Sequence, residues 1–136
     1  MTMLDLHSGL DVSQDIPTVA HNGNGATNGT GVSLSNNVSA VVVFEAGAVT
    51  DGTHTPTVEE SNDGTTWTTV AAEDLHGTLV AVTTANDPLV QTVGYKGSAG
   101  NIRAVWTDAT STTGGVTGAL IILGGRKQTG GSPIIA

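Results

Sequence analysis

The sequence predicts an all-β fold: an antiparallel β-sandwich or jelly-roll-like barrel of about 7 to 9 short strands with extended termini. Three observations carry this expectation. Clusters of Gly, Asn, Asp and Pro punctuate β-branched runs roughly every 8 to 12 residues. No 3.6-residue apolar period is sustained, so helix should be scarce. The stretch Thr55 to Val70 reads as a β-hairpin, because two runs rich in Thr and Val flank Ser61-Asn62-Asp63-Gly64. There Asn and Asp can bond their own backbone and Gly accepts positive φ.

The chain of 136 residues is of single-domain size, divided into an extended arm and Asn/Gly-rich loop (1–31), a sandwich core (32–125) and a tail (126–136). Aromatics are only 3% of residues, so Val, Ile, Leu, Ala and Thr must fill the interior. Such side chains bury less area each than Phe or Trp, which favours stabilisation by association. There is no Cys, and hence no disulfide or thiolate metal site. A net charge of -8 argues against nucleic acid as a partner, since neutralising phosphate takes Lys and Arg. The N-terminal residues show no basic, then apolar, leader pattern, and no run of ~18 apolar residues occurs, so a soluble cytoplasmic product with no membrane partner is expected.

Taken in order, Met1 to Ala20 alternates Leu4, Leu6, Leu10 and Val12 in the period of an extended chain. His21 to Gly31 is poor in apolar residues and is expected to be a flexible loop. Ala40 to Phe44 is apolar on both parities, the mark of a central strand covered on both faces. Pro56 opens the hairpin near a sheet edge, where its missing N–H does least harm. Glu60 shares parity with Val58, so the strand is expected to end there with a solvated carboxylate. Ala71 to Gly77 suits one helical turn, Leu79 to Thr84 a strand, Ala85 to Pro88 a turn, and Val90 to Lys96 a further strand. Asn101 to Thr107 places Ile102, Ala104 and Trp106 on one face and Arg103, Val105 and Thr107 on the other, the alternation of a strand with one buried side. Val116 to Leu123 is a second run apolar on both parities.

Chemical signatures are sparse. His7, His21, His54 and His76 lack any spacing that would aim two rings at one ion, and no phosphate-binding glycine loop opens a helix. Glu45, Glu59, Glu60, Asp63, Glu73 and Asp74 give no readable catalytic pair. No catalytic, cofactor-binding or metal residue is therefore expected, and the chain is read as no enzyme. Ser61 to Trp67 resembles the Asp-box turn of sialidases and propellers with one residue missing between Asp and Gly, a structural device even when complete. Trp67, Trp106 and Tyr95 could form a sugar platform, although core packing is the expectation for both Trp. Two Asn sequons, Asn28-Gly29-Thr30 and Asn37-Val38-Ser39, would matter only in a secreted eukaryotic protein.

Several stretches together resemble small virion proteins of tailed bacteriophages. They are Asn28 to Asn36, Val41 to Val43 with Gly47, Thr50 to Pro56, Glu60 to Trp67, Val93 to Ser98, Ile102-Arg103, and Leu123 to Arg126. The group most similar is the head decoration, or cement, proteins, and the resemblance spans Gly29 to Arg126. It implies a structural protein on the outer surface of the virion capsid, often a homo-trimer, whose partners are its own copies and the major capsid protein. The extended, partly apolar ends are the expected contacts: Leu4, Leu6, Leu10, Val12 and Ile16 in the arm, and Arg126, Lys127, Ile134 and Ile135 in the tail. The other readings are a carbohydrate-binding sandwich module and a head-tail, neck or tail component.

Overall fold

The computed structural model describes residues 5–127 and the two-residue strand Pro133–Ile134; Leu4 and Ile135 lie outside the described residues. The strands are β1 (Leu10–His21), β2 (Gly25–Asn28), β3 (Val32–Ser33), β4 (Asn37–Val49), β5 (Thr53–Ser61), β6 (Thr68–Thr69), β7 (Leu75–His76), β8 (Leu89–Tyr95), β9 (Asn101–Ala109), β10 (Gly115–Lys127) and β11 (Pro133–Ile134). One sheet runs β1-β10-β4-β8-β7, with β11 also on β10; the other runs β2-β9-β5-β6, with β3 also on β9. Every strand pair is antiparallel. Two single 3-10 turns, His7–Gly9 and Ala72–Asp74, are the helical elements among the described residues. The fold is thus an all-β sandwich, with more strands than the sequence suggests because four of them are only two residues long.

Inward residues of both sheets meet in one core. From the first sheet come Ile16, Val42, Phe44, Val93, Ala119 and Ile121, and from the second Val58, Ile102, Ala104 and Trp106. Phe44 meets Trp106 edge-on across the sheets, with centroids 5.5 Å apart. The Trp106 Nε1–H donates to the Gly118 carbonyl at 3.0 Å, so the largest core side chain leaves no polar atom unpaired. Both runs that are apolar on each parity occupy the middle of the first sheet as β10 and β4, and the hairpin forms as β5 and β6.

Five expectations are corrected. From Leu10 onward the stretch expected as a separate arm is instead β1, paired with β10, and its Ile16 is only 2% exposed. Within the Asn/Gly-rich stretch, Gly25–Asn28 is an ordered strand on β9, because small residues let the backbone come close to its neighbours. Gly29 shows how close: a Cβ there would fall 1.7 Å from Asp15 Oδ2. The tail boundary at residue 126 cuts through β10, which continues to Lys127. Leu79 to Thr84 makes a single bridge, Val82 with His54, rather than a strand, since Val82 plugs the core there and its neighbours turn outward. Glu60 stays within β5 as a partly buried acid and finds a partner, accepting the Tyr95 hydroxyl at 2.5 Å.

Candidate interaction surface

The strands of the first sheet have two faces, and the second sheet covers one of them. Register sets what lies on the other. Val12 pairs with Ile122, Ile122 with Val41 and Val41 with Gly94, so these residues form one row across four strands. The neighbouring rows are Leu10-Gly124-Ser39 and Gln14-Leu120-Val43-Thr92. A fourth contains Gly118, Glu45 and Val90. The alternation that turns Val42, Phe44 and Ile121 inward therefore turns Val41, Val43, Leu120 and Ile122 outward. All four are partly exposed, while Val12 and Val90 at the flanks are 59% and 64% exposed. Within these rows Glu45 is the one carboxylate, and it accepts the Thr18 hydroxyl.

The contact residues expected from sequence separate into groups. Leu10 and Val12 lie on this outward apolar face, and Leu6 is exposed just before the first 3-10 turn. Ile16 belongs to the core, because the irregular register between Gln14 and Ile16 turns it towards Ala119. Arg126 and Lys127 pair through their backbones with Ile134 and Pro133 at the end of β10. Sequence reading missed Val41, Val43, Leu120 and Ile122. Their signal lies in the two-parity apolar runs, which indicate coverage on both faces without saying what supplies it.

The polar clusters are built inward and act as fasteners. Asp15, 3% exposed, accepts the Gly31 N–H at 2.6 Å and the Ala104 N–H at 2.7 Å, bonding β1 to the opposite sheet. At one end of the sandwich, Asp51 accepts the N–H groups of Gly114, Thr113 and Thr112, which hold its carboxyl below the usual range. His54 Nδ1 lies 2.6 Å from Asp108 Oδ1, and its Nε2 lies 3.1 Å from the Asp51 carbonyl. With both ring nitrogens engaged and no exposed surface, that imidazole cannot meet a substrate in this conformation. In the hairpin turn Asp63 Oδ1 accepts from Thr65 and Thr66, as the Asp-box resemblance implies for the Asp of such a turn.

The aromatic residues do not form a shared platform. Trp106 is 1% exposed, the Tyr95 hydroxyl is bonded to Glu60, and the Arg103 guanidinium lies 4.5 Å over the Trp67 ring. Core packing holds for Trp106 but not for Trp67, which is partly exposed on the outer side of the second sheet beside Gly31. An open groove of about 600 Å³ is lined by Asn37, Ser39, Tyr95, Lys96 and Ser98 among others. Among the described residues no group of three or more metal-ligating side chains converges, and no helix is long and apolar enough to cross a membrane.

Fold and surface together define a two-sheet antiparallel β-sandwich with an apolar sheet face that no described residue of the second sheet covers. Among solved structures it is similar to the PBSX exported protein XepA, with a TM-score of 0.62 at 18% identity. The match covers 91% of this chain and 40% of that one, so the chain spans less than half the length of that protein. At this identity the likeness shows a shared fold. No family model and no curated protein matches the chain.

Proposed function

We propose that this protein is a non-enzymatic structural component of a tailed-phage virion, binding the outer surface of the capsid as an oligomer and tying neighbouring major capsid subunits together. The observation that carries this reading is the apolar outward face of the first sheet, an assembly surface on a chain whose buried His and Asp side chains are occupied in holding the fold. Two further points support it. The chain shares its fold with an exported protein of the phage PBSX. Its charge of -8 suits the outside of a shell rather than contact with packaged DNA. Many copies held by modest contacts would grip a shell through multivalency.

The test is imaging of particles of the phage that encodes the protein, with and without its gene. Regular density on the outer shell that vanishes with the gene is the expected result. A shell unchanged by the deletion would remove the proposal, and density confined to a ring at the neck or tail would move the protein there. A sugar-binding role has no such support, because no open aromatic platform is found among the described residues.

A further inference from the structure

We infer that the outward face of the β1-β10-β4-β8 sheet closes against the same face of a second copy of this chain, forming a two-fold pair. This deepens the oligomer reading above and rests on it only for the statement that the protein assembles; it does not require a capsid.

Strands with both faces buried carry continuous apolar runs. Ala40 to Phe44 and Leu120 to Leu123 are such runs, yet among the described residues the fold covers only the face that holds Val42, Phe44, Ile121 and Leu123. Val41, Val43, Leu120 and Ile122 remain as a contiguous patch at the centre of the sheet, widened by Leu10, Val12 and Val90.

Three properties favour a second copy as the occupant. The first is charge. Two chains at -8 repel each other over most of their surface, whereas the four rows of this face carry a single carboxylate, Glu45, already bonded by Thr18. The second is area. Strands of 12, 13, 13 and 7 residues give a sheet face on the order of 700 Å² before side-chain relief. A standard interface takes about 800 Å² from each partner. The third is shape, since an outward face whose centre is Val41, Val43, Leu120 and Ile122 set among small residues can interdigitate with its own copy at the ~10 Å spacing of stacked sheets. One patch meeting itself is an isologous contact, which closes as a two-fold pair.

Sedimentation velocity on the full chain at tens of micromolar tests this, with Val43→Lys and Leu120→Lys as variants. The expected result is a dimer for the parent and monomers for both variants, with the dimer dissociation constant raised at least tenfold and the far-ultraviolet spectrum unchanged. A monomeric or trimeric parent, or folded variants that stay dimeric, would overturn the inference. Because the chain has no Cys, Val43→Cys and Thr55→Cys also report independently of whether the Lys variants fold. A short bismaleimide should link copies through position 43 and not through position 55, on the opposite sheet, and equal linking at both would also overturn it. A dimer that fails to bind capsids defeats the capsid proposal and leaves this one standing. A monomer that decorates capsids, and loses that ability on Leu120→Lys, means that the face docks on the shell instead.

Discussion

The carboxylate of Asp15, on the edge strand of one sheet, accepts the backbone N–H of Ala104 in the middle of the other sheet at 2.7 Å. Its second oxygen takes the N–H of Gly31, and the N–H of Gly29 donates to the Ala104 carbonyl. One side chain thereby closes β1, the β2–β3 connection and β9 into a single unit.

Asp15→Ala should cost about 2–4 kcal/mol, because it leaves two N–H groups without their carboxylate acceptor, both close to the sandwich interior. Asp15→Asn should recover little, since its amide presents a donor to one of two donors. Urea unfolding measures both, and a loss below about 0.5 kcal/mol for Asp15→Ala would contradict the clamp.

Truncation separates the N-terminal residues into two classes. Removing residues 1–9 deletes no strand of the described residues, and cooperative melting should survive. Removing residues 1–20 deletes nearly all of β1 together with Ile16 and Asp15, and it should abolish that melting. Differential scanning calorimetry distinguishes the cases, and a cooperative transition in the longer deletion would show that β1 is dispensable.

Acid should loosen the turns before the core. The Asp63 carboxyl is held at about 2 by the N–H groups of Thr66 and Thr65, and Asp51 is lowered by those of Gly114, Thr113 and Thr112. Both folded values lie below the ordinary 3.8, so the stabilisation is present above about pH 4; that of Asp63 is lost as pH falls towards about 2, and that of Asp51 as pH falls through its own lowered value. The melting temperature of the parent should drop across that window, and that of a double Asp51→Asn, Asp63→Asn variant should drop less.

At the alkaline end the sign reverses. Tyr95 is raised to about 12, first by burial and then by its bond to Glu60. A raised folded value means stabilisation that is complete below pH 10 and disappears as pH rises through about 12. Tyr95→Phe should flatten stability against pH in that window, as followed by circular dichroism; an unchanged slope would contradict the assignment.

The two Trp residues should respond differently to solvent. Glu59 pairs with Arg103 at 2.6 Å, and Arg103 covers Trp67, so Arg103→Ala should raise acrylamide quenching of Trp67. It should cost about 1 kcal/mol or somewhat more, the scale of a partly buried ion pair with a cation–π contact. In a Trp67→Phe background the remaining Trp106 emission should be blue-shifted and resistant to quenching, as its 1% exposure requires. Equal quenching of both would contradict the placement.

Much of the strand pattern is local and therefore legible in residue order. Asn101 to Thr107 alternates as expected in burying Ile102, Ala104 and Trp106, but Val105 on the other face is only 3% exposed as well, so the strand is not open on one side throughout. Ser61 to Gly64 contains its own turn chemistry, and the hairpin forms there. The candidate surface is half legible: Leu10 and Val12 are expected contacts, whereas Val41, Val43, Leu120 and Ile122 belong to runs that indicate two covered faces and do not say what covers the outer one.

What the sequence by itself determined is the class of fold, the two central strands and the turns, because periodicity, β-branching and Gly, Asn or Asp chemistry act over a few residues. Only the tertiary structure decided that Met1 to Ala20 supplies an edge strand, that Asp15 and Ala104 meet, and which face of β4 and β10 stays uncovered. Asp15 and Ala104 are 89 positions apart in the chain. Such pairings depend on sheet order and register, and the number of layers stacked on a sheet is fixed by the whole chain's topology rather than by the residues of any one strand.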